Sequence, residues 1–237
     1  MLARKIYRWA DAIVAVSNGV ADDVAREVGL DRNRIRTIYN PAITPDLASK
    51  AREPVHHRWF QPGATRVIIS MGRLNVQKDY PTLLRAFKRL LTQQQDLRLI
   101  ILGEGEEREA LELLARELRI ADYVDLAGFV SNPFAYMAKA SVFVLSSAWE
   151  GLPMALVEAM ACGTPVVSTD CPFGPKEILE RGRYGPLVPI RDDEALAQAI
   201  KETLDNPLSS EILKNAATRF SVQKAAHDYL EAAGIAS

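Results

Sequence analysis

Val142-Phe143-Val144-Leu145-Ser146-Ser147-Ala148-Trp149-Glu150-Gly151-Leu152-Pro153-Met154-Ala155-Leu156-Val157-Glu158-Ala159-Met160-Ala161-Cys162-Gly163-Thr164-Pro165-Val166-Val167 holds two short apolar runs with one helix-length segment between them. Runs such as Val142 to Leu145 and Pro165 to Ser168 suit strands buried on both faces. Pro153 suits the first turn of a helix, and Gly163 suits its C-terminal stop. Strand, helix and strand in that order make a parallel crossover. Glu150 then sits in the loop at a strand's C-terminal end, and Glu158 about one and a half turns into the helix. In an open α/β sheet that edge is where ligands bind.

The same alternation extends in both directions. Val67 to Met71, Leu97 to Leu102 and Val124 to Leu126 read as strands before this unit, and Leu187 to Val188 as one after it. Helices are expected over Pro81 to Leu91 (capped near Asp79), Glu106 to Leu118, Pro133 to Ala140, Pro153 to Cys162 and Lys176 to Glu180. The tail reads as helices from Asp193 to Leu204, Ser210 to Arg219 and Val222 to Ala232. The fold class is α/β, a doubly wound parallel sheet with helices on both faces. Upstream, Ile13 to Val16, a helix from Gly19 to Val28 capped by Ser17, and Ile35 to Tyr39 form a further β-α-β unit. It is too small to hold a core alone. Pro41, Pro45, Pro54 and Pro62 mark the stretch between the two parts as a linker or irregular connection.

The 237 residues, 48% hydrophobic and 25% charged, suffice for one large domain or one domain plus part of another. A formal net charge of −1 offers no electrostatic argument for nucleic-acid binding. The two cysteines, Cys162 and Cys171, make neither a disulfide scaffold nor a zinc site, and a reduced cytoplasmic compartment fits. No apolar run is long enough to span a membrane. The basic start, Met1 to Ala10, reads as an ordinary helix packed on a sheet, with an amphipathic surface helix as the alternative.

Several constellations fall on the ligand edge. Gly72-Arg73-Leu74 with Lys78 follows the Val67 strand. Two cations on one short loop suit a diphosphate, with Arg as a fixed fork and Lys as a mobile point charge. Backbone N–H groups of Gly151, Leu152, Pro153-Met154, Ala155 and Leu156 (proline itself has none) lie near a helix N-terminus, which favours an anion. Glu158 is placed to reach a ribose beside that anion. A buried turn, with Glu150 as a helix-start charge and Glu158 solvated, is the plainer alternative. Gly103-Glu104-Gly105 lacks the third glycine of a dinucleotide fingerprint and reads as a tight strand-to-helix turn. Gly128-Phe129-Val130 either presents groups to a base or packs in the core. Cys171 to Glu177 either lines a sugar pocket or makes a rigid turn. His56, His57 and His227 read as surface residues, and Cys162 as a packed thiol. No Asp-x-Asp pair is present to hold a metal-bound diphosphate, and the serine elbow and phosphate-loop motifs are missing.

Gly72-Arg73-Leu74 with Lys78, and Glu150-x7-Glu158 within Glu-Ala-Met-Ala-Cys-Gly-Thr-Pro-Val-Val, resemble the C-terminal half of a retaining GT-B glycosyltransferase of family 4. Ala10 to Ser17 and Asn40-Pro41 resemble that family's approach to its interdomain hinge. The resemblance implies a Rossmann-like donor domain over 42–220. Residues 1–41 would be the end of an N-terminal acceptor domain and hinge, and 221–237 a helix crossing back onto it. It implies that Arg73 and Lys78 bind the donor diphosphate and stabilise it as leaving group. Glu150 would contact the donor sugar, Glu158 the ribose hydroxyls, and Gly72 and Gly151 to Leu156 the sugar and phosphate. Gly128, Phe129 and Val130 would lie near the base.

The donor would be a nucleotide-diphosphate sugar, UDP foremost, with no metal and no other cofactor. Reaction would retain configuration, the leaving phosphate accepting the acceptor's proton. The acceptor would be a saccharide or lipid-linked, receiving a hexose or N-acetylhexosamine. The setting would be cytoplasmic, with peripheral contact at the inner face of the membrane. A complete member needs about 150 further residues upstream, as a missing domain or separate subunit. A non-catalytic nucleotide-sugar-binding module and a sugar-nucleotide epimerase of the same architecture are the other readings.

Overall fold

The computed structural model describes residues 6, 7, 9–61 and 65–235, so most of the basic Met1 to Ala10 segment lies outside the described residues. Two short parallel strands, β1 (Ile13–Ala15) and β2 (Ile35–Thr37), are joined by helix α1 (Asn18–Val28). Ser17 caps α1 as expected, its hydroxyl accepting from Val20 N at 3.2 Å. Ile13, Ala15, Ala21 and Ile35 form a small core of their own.

The chain between residues 42 and 61 is more ordered than Pro45 and Pro54 suggest. It contains a short helix, α2 (Leu47–Lys50), and a 3₁₀ turn over Arg58–Phe60. Leu47 and Trp59 are buried in the main core. His57 corrects the surface reading made for it. Its side chain is only 11% exposed and its Nε2 lies 2.8 Å from Asp125 Oδ2. Its Nδ1 accepts from Trp59 N at 3.2 Å, so Nε2 carries the proton in the neutral ring. Trp59, Phe60 and Tyr136 pack around it. His57 reaches Asp125, and His57 and Phe60 meet Tyr136, long-range contacts that local proline content does not report. His57→Ala is expected to lower stability to urea by about 1–3 kcal/mol, because Asp125 loses its partner. An unchanged midpoint would show that the pin contributes nothing. His56 and His227 are exposed, as expected.

The large sheet contains β3 (Arg66–Met71), β4 (Leu97–Leu102), β5 (Val124–Gly128), β6 (Val142–Leu145), β7 (Val166–Thr169) and β8 (Leu187–Val188). All pairings are parallel and the order is β5-β4-β3-β6-β7-β8. The crossovers are α3 (Tyr80–Leu91), α4 (Arg108–Glu117), α5 (Pro133–Lys139), α6 (Met154–Cys162) and α7 (Pro175–Ile178). After β8 come α8 (Asp193–Asp205), α9 (Ser210–Ala217) and α10 (Val222–Ala232).

Alternate strand residues enter two cores. Val67, Ile69, Ile100, Leu102, Phe143 and Leu145 face α6 and α9. Ile68, Leu99, Ile101, Val142 and Val144 face α3 and α8. Burial on both faces explains why these strands are continuously apolar; each fully buried Leu, Ile or Phe contributes about 1.5–3 kcal/mol. The start of α10 is tied back to the end of the small unit: Ala42 N and Ile43 N donate to Phe220 O at 3.0 and 3.1 Å, and Val222 N donates to Ile43 O at 3.2 Å.

The strand order reverses between β3 and β6. The chain runs outward through β4 and β5, then returns to the other side of β3. Loops leaving the C-terminal ends of β3 and β6 therefore diverge and leave a crevice, the place where open α/β sheets bind ligands.

Candidate functional site

The loop after β3 begins at Gly72. A Cβ there would stand 2.8 Å from Lys78 Cε and 3.1 Å from Tyr80 Oη, so glycine leaves room for the Lys78 chain to lie across the loop. The loop rests on the turn after β4. Gly72 N donates to Leu102 O at 3.0 Å, Leu74 N to Glu104 O at 2.9 Å, and Glu107 N to Leu74 O at 3.0 Å. Gly103, with φ of 134°, would place a Cβ 2.0 Å from Gly72 O. Gly103-Glu104-Gly105 is thus the tight turn expected, and its purpose is to let two backbones touch.

Lys78 and Glu150 come from the two sides of the switch point and meet. Lys78 Nζ lies 2.6 Å from Glu150 Oε1, with the side chains 17% and 7% exposed. Ser147 Oγ donates to the same carboxylate oxygen at 2.7 Å. Gln77 Nε2 donates to Trp149 O at 2.9 Å and reaches Glu150 Oε2 at 3.4 Å. The two loops are laced by Ala148 N to Gln77 O at 2.8 Å and Ser146 Oγ to Lys78 O at 2.8 Å. Ser147 and Gln77 were not picked out from sequence. Ser147 lies three residues before Glu150, and that spacing was the only available signal.

Helix α6 starts beyond this cluster, with Pro153 at the capping position and no side-chain cap. The N–H groups of Gly151, Leu152, Met154 and Ala155 carry no hydrogen bond among the described residues. Leu156 differs: its N–H donates to Pro153 O at 3.1 Å and its side chain is in the core. Those orphan donors and the helix dipole favour an anion in front of α6.

Glu158 is not the solvated residue of the plainer reading. It is half-buried in α6, its side chain has no hydrogen-bond or ion-pair partner among the described residues, and this partial burial pushes its carboxyl up to about 7. A half-buried carboxyl lacking donors is suited to receive them from a ligand. One helical turn on, Cys162 is a buried thiol, as expected.

Arg73 stands apart from the Lys78–Glu150 pair. Its side chain is 72% exposed and its Nε is 3.5 Å from Glu106 Oε2. Such an exposed pair is worth little in water, so Arg73 is free to turn toward an anion in the crevice. Phe129 is 84% exposed at the end of β5, which rules out the core reading for its ring, whereas Val130 packs against the core. Gly128, with φ of 75°, would bring a Cβ within 2.6 Å of Glu104 Oε1. Among the described residues, no group of three or more His, Cys, Asp or Glu side chains is placed to hold a metal ion. No helix among them is long and apolar enough to cross a membrane.

Comparison with known proteins agrees with this fold. The profile of glycosyltransferase family 4 matches residues 1–44. Among curated proteins, the N-acetylgalactosamine-N,N'-diacetylbacillosaminyl-diphospho-undecaprenol 4-alpha-N-acetylgalactosaminyltransferase of Campylobacter jejuni is 33% identical over 212 residues, 90% of this chain and 56% of that protein. Among solved structures, the apo lipopolysaccharide outer core galactosyltransferase WaaB superposes with a TM-score of 0.77 at 25% identity, over 96% of this chain and 62% of that one. Anabaena Alr3699/HepE, solved with UDP and glucose, shares the fold with a TM-score of 0.79 at 22% identity, over 96% of this chain and 64% of that one. The chain spans about half the length of the curated relatives it matches. The profile of the glycosyl transferases group 1 matches residues 52–220, which contain the whole large sheet and both site loops, and the chain belongs to that family.

Proposed function

We propose that this chain is the donor-binding half of a retaining, metal-independent glycosyltransferase of family 4. It takes a hexose or N-acetylhexosamine from a nucleotide-diphosphate sugar and passes it to a saccharide or lipid-linked acceptor. The observation that carries this reading is the Lys78–Glu150 pair at the switch point, with the unpartnered Glu158 carboxyl in the helix that follows.

In this proposal the diphosphate lies before α6, against the free N–H groups of Gly151, Leu152, Met154 and Ala155. Lys78 and Arg73 offset its charge, which grows as the bond from sugar C1 to phosphate oxygen breaks. Glu150, held by Lys78 and Ser147, contacts the sugar. The acceptor oxygen bonds to C1 on the same face and its proton goes to the leaving diphosphate. Glu158 accepts from the ribose hydroxyls, and the Phe129 ring and the Gly128 backbone meet the base. UDP is the first candidate nucleotide, since the Anabaena neighbour is described with it. A lipid-linked acceptor is suggested by the undecaprenol-linked substrate in the Campylobacter relative's name. The acceptor face belongs mostly to residues outside 42–220, in a further domain or a separate subunit. The setting proposed is cytoplasmic, with peripheral contact at the inner membrane face.

Calorimetric titration of the chain with UDP, GDP and ADP tests the donor site. One of the three is expected to bind with unit stoichiometry. No binding to a folded sample would remove the proposal. A labelled nucleotide sugar, incubated with and without acceptor, separates transfer from epimerisation by product analysis.

A further inference from the structure

We propose that Glu177 is a positioning residue: it fixes the β1–α1 unit against the loop that holds the backbone of Glu150. The proposal rests on the donor-site reading above, in which Glu150 contacts the sugar.

Glu177 lies in α7, and its carboxylate accepts four hydrogen bonds from the small N-terminal unit. Asn18 N and Gly19 N, the first amides of α1, donate at 2.9 and 2.8 Å. Asn18 Nδ2 and the Tyr39 hydroxyl each donate at 3.1 Å. Both carboxylate oxygens are used. The amides at a helix start have no carbonyl partner and the dipole there favours an anion. In α1 that anion comes from a residue 158 positions away. Tyr39 responds to it, its phenol held above its ordinary pKa by burial and by the Glu177 charge.

The arm that presents Glu177 is itself braced. Arg219 donates to Glu177 O at 2.9 Å, to Ile178 O at 2.7 Å and to Glu180 Oε1 at 2.7 Å. These bonds satisfy carbonyls of α7 and tie it to the segment that starts α10.

The other side of the same loop reaches the site. Glu150 N donates to Pro172 O at 2.5 Å, and Phe173 N donates to Glu150 O at 2.9 Å. Glu150 is thus held at both its backbone groups by the residues that precede α7. No room separates the parts. A Cβ on Gly19 would lie 2.5 Å from the Phe173 ring, and one on Gly174 would lie 2.6 Å from Pro153 Cδ and 3.0 Å from Gly151 O. The start of α1, the loop before α7 and the Glu150 turn form one contiguous stack. A shift of the β1–α1 unit moves Phe173, and Phe173 moves Glu150. Glu177 touches no reacting atom in this arrangement.

Glu177→Gln tests the link, because its amide turns a donor toward donors that the carboxylate had accepted. Amide exchange followed by NMR is expected to quicken about tenfold or more at Gly19 and also at Phe173 and Glu150. In transfer assays kcat is expected to fall about tenfold while the affinity for the nucleoside diphosphate stays within about twofold, since Lys78, Arg73 and α6 hold the phosphates. Glu177→Asp, which keeps both oxygens, should recover part of kcat. Gly19→Ala, which pushes on Phe173 from the other side, should reproduce the exchange pattern with Glu177 intact. Quickened exchange confined to Asn18 and Gly19, or an unchanged kcat in Glu177→Gln, overturns the proposal. If Glu177→Gln does not fold, Gly19→Ala decides by the same exchange readout. A wild-type chain that binds none of UDP, GDP and ADP overturns the donor-site reading instead, and the exchange measurement still decides the coupling.

Discussion

Lys78→Ala is expected to slow sugar transfer by about 10²-fold or more and to destabilise the chain by about 3–5 kcal/mol. The two effects share one cause. Glu150 is 7% exposed and Lys78 Nζ is 2.6 Å away, so removing the cation leaves a carboxylate with little water and only hydroxyl and amide donors. Breaking a buried pair at one end costs more than replacing both ends. Lys78→Met combined with Glu150→Gln should therefore regain most of the stability lost by Lys78→Met alone, as read by urea unfolding. Activity should not return with it, because the charge that stabilises the leaving diphosphate is still missing. Arg73→Ala separates the two effects: exposed as Arg73 is, its loss should leave stability unchanged and still lower turnover about 10²-fold. Rates are measured with this chain in whatever assembly transfers sugar. Near-wild-type turnover in both Arg73→Ala and Lys78→Ala would sink the leaving-group assignment.

Glu158→Gln is expected to stabilise the chain above pH 7 by about 1–3 kcal/mol while weakening nucleotide binding about tenfold or more. The folded carboxyl is raised from 4.5 to about 7 by burial. Between those values the native chain holds a proton that the unfolded chain has released. The stabilisation from that proton is fully present below pH about 4.5 and is lost as pH rises through about 7. Glutamine is neutral throughout, so the two proteins should be closest in stability below pH about 4.5 and diverge toward pH 8. Binding runs the other way. Ribose hydroxyls donate to the charged carboxylate, so the wild-type Kd for UDP should be about tenfold weaker at pH 6 than at pH 8. The diphosphate titrates too, and Glu158→Gln isolates the part due to Glu158 by removing it. Wild type and variant with the same pH slope of binding would show that Glu158 does not meet the ribose.

Much of the large domain was legible residue by residue. Leu97 to Leu102, Val142 to Leu145 and Leu187 to Val188 are strands at the expected bounds, and α10 covers Val222–Ala232 as read. Such segments are apolar on both faces or end at a capping residue, and those signals are local. The connector between 42 and 61 was not legible. Its order comes from Leu47, Trp59 and His57 packing onto a sheet formed later in the chain. The site divided in the same way. Glu150, Lys78, Arg73 and Glu158 were singled out as candidates by loop position and helix spacing. Ser147 was not, although it lies only three residues before Glu150. Gln77 and Glu177 carried no such local signal, because their bonds to the site or its supporting loops cross folds of the chain that no spacing rule covers.

The sequence by itself determined the alternation of strand and helix, and with it a parallel sheet whose loops gather charged residues on one edge. Burial periodicity and turn residues act over a few positions, so one-dimensional reading is enough for them. Tertiary structure alone decided that β3 and β6 lie side by side, so that Lys78 and Glu150 meet at 2.6 Å. It also decided that Glu158 is half-buried and unpartnered among the described residues, and that Arg73 waits in solvent beside Glu106. Strand order and desolvation depend on which distant surfaces exclude water together, and that quantity belongs to the folded chain as a whole.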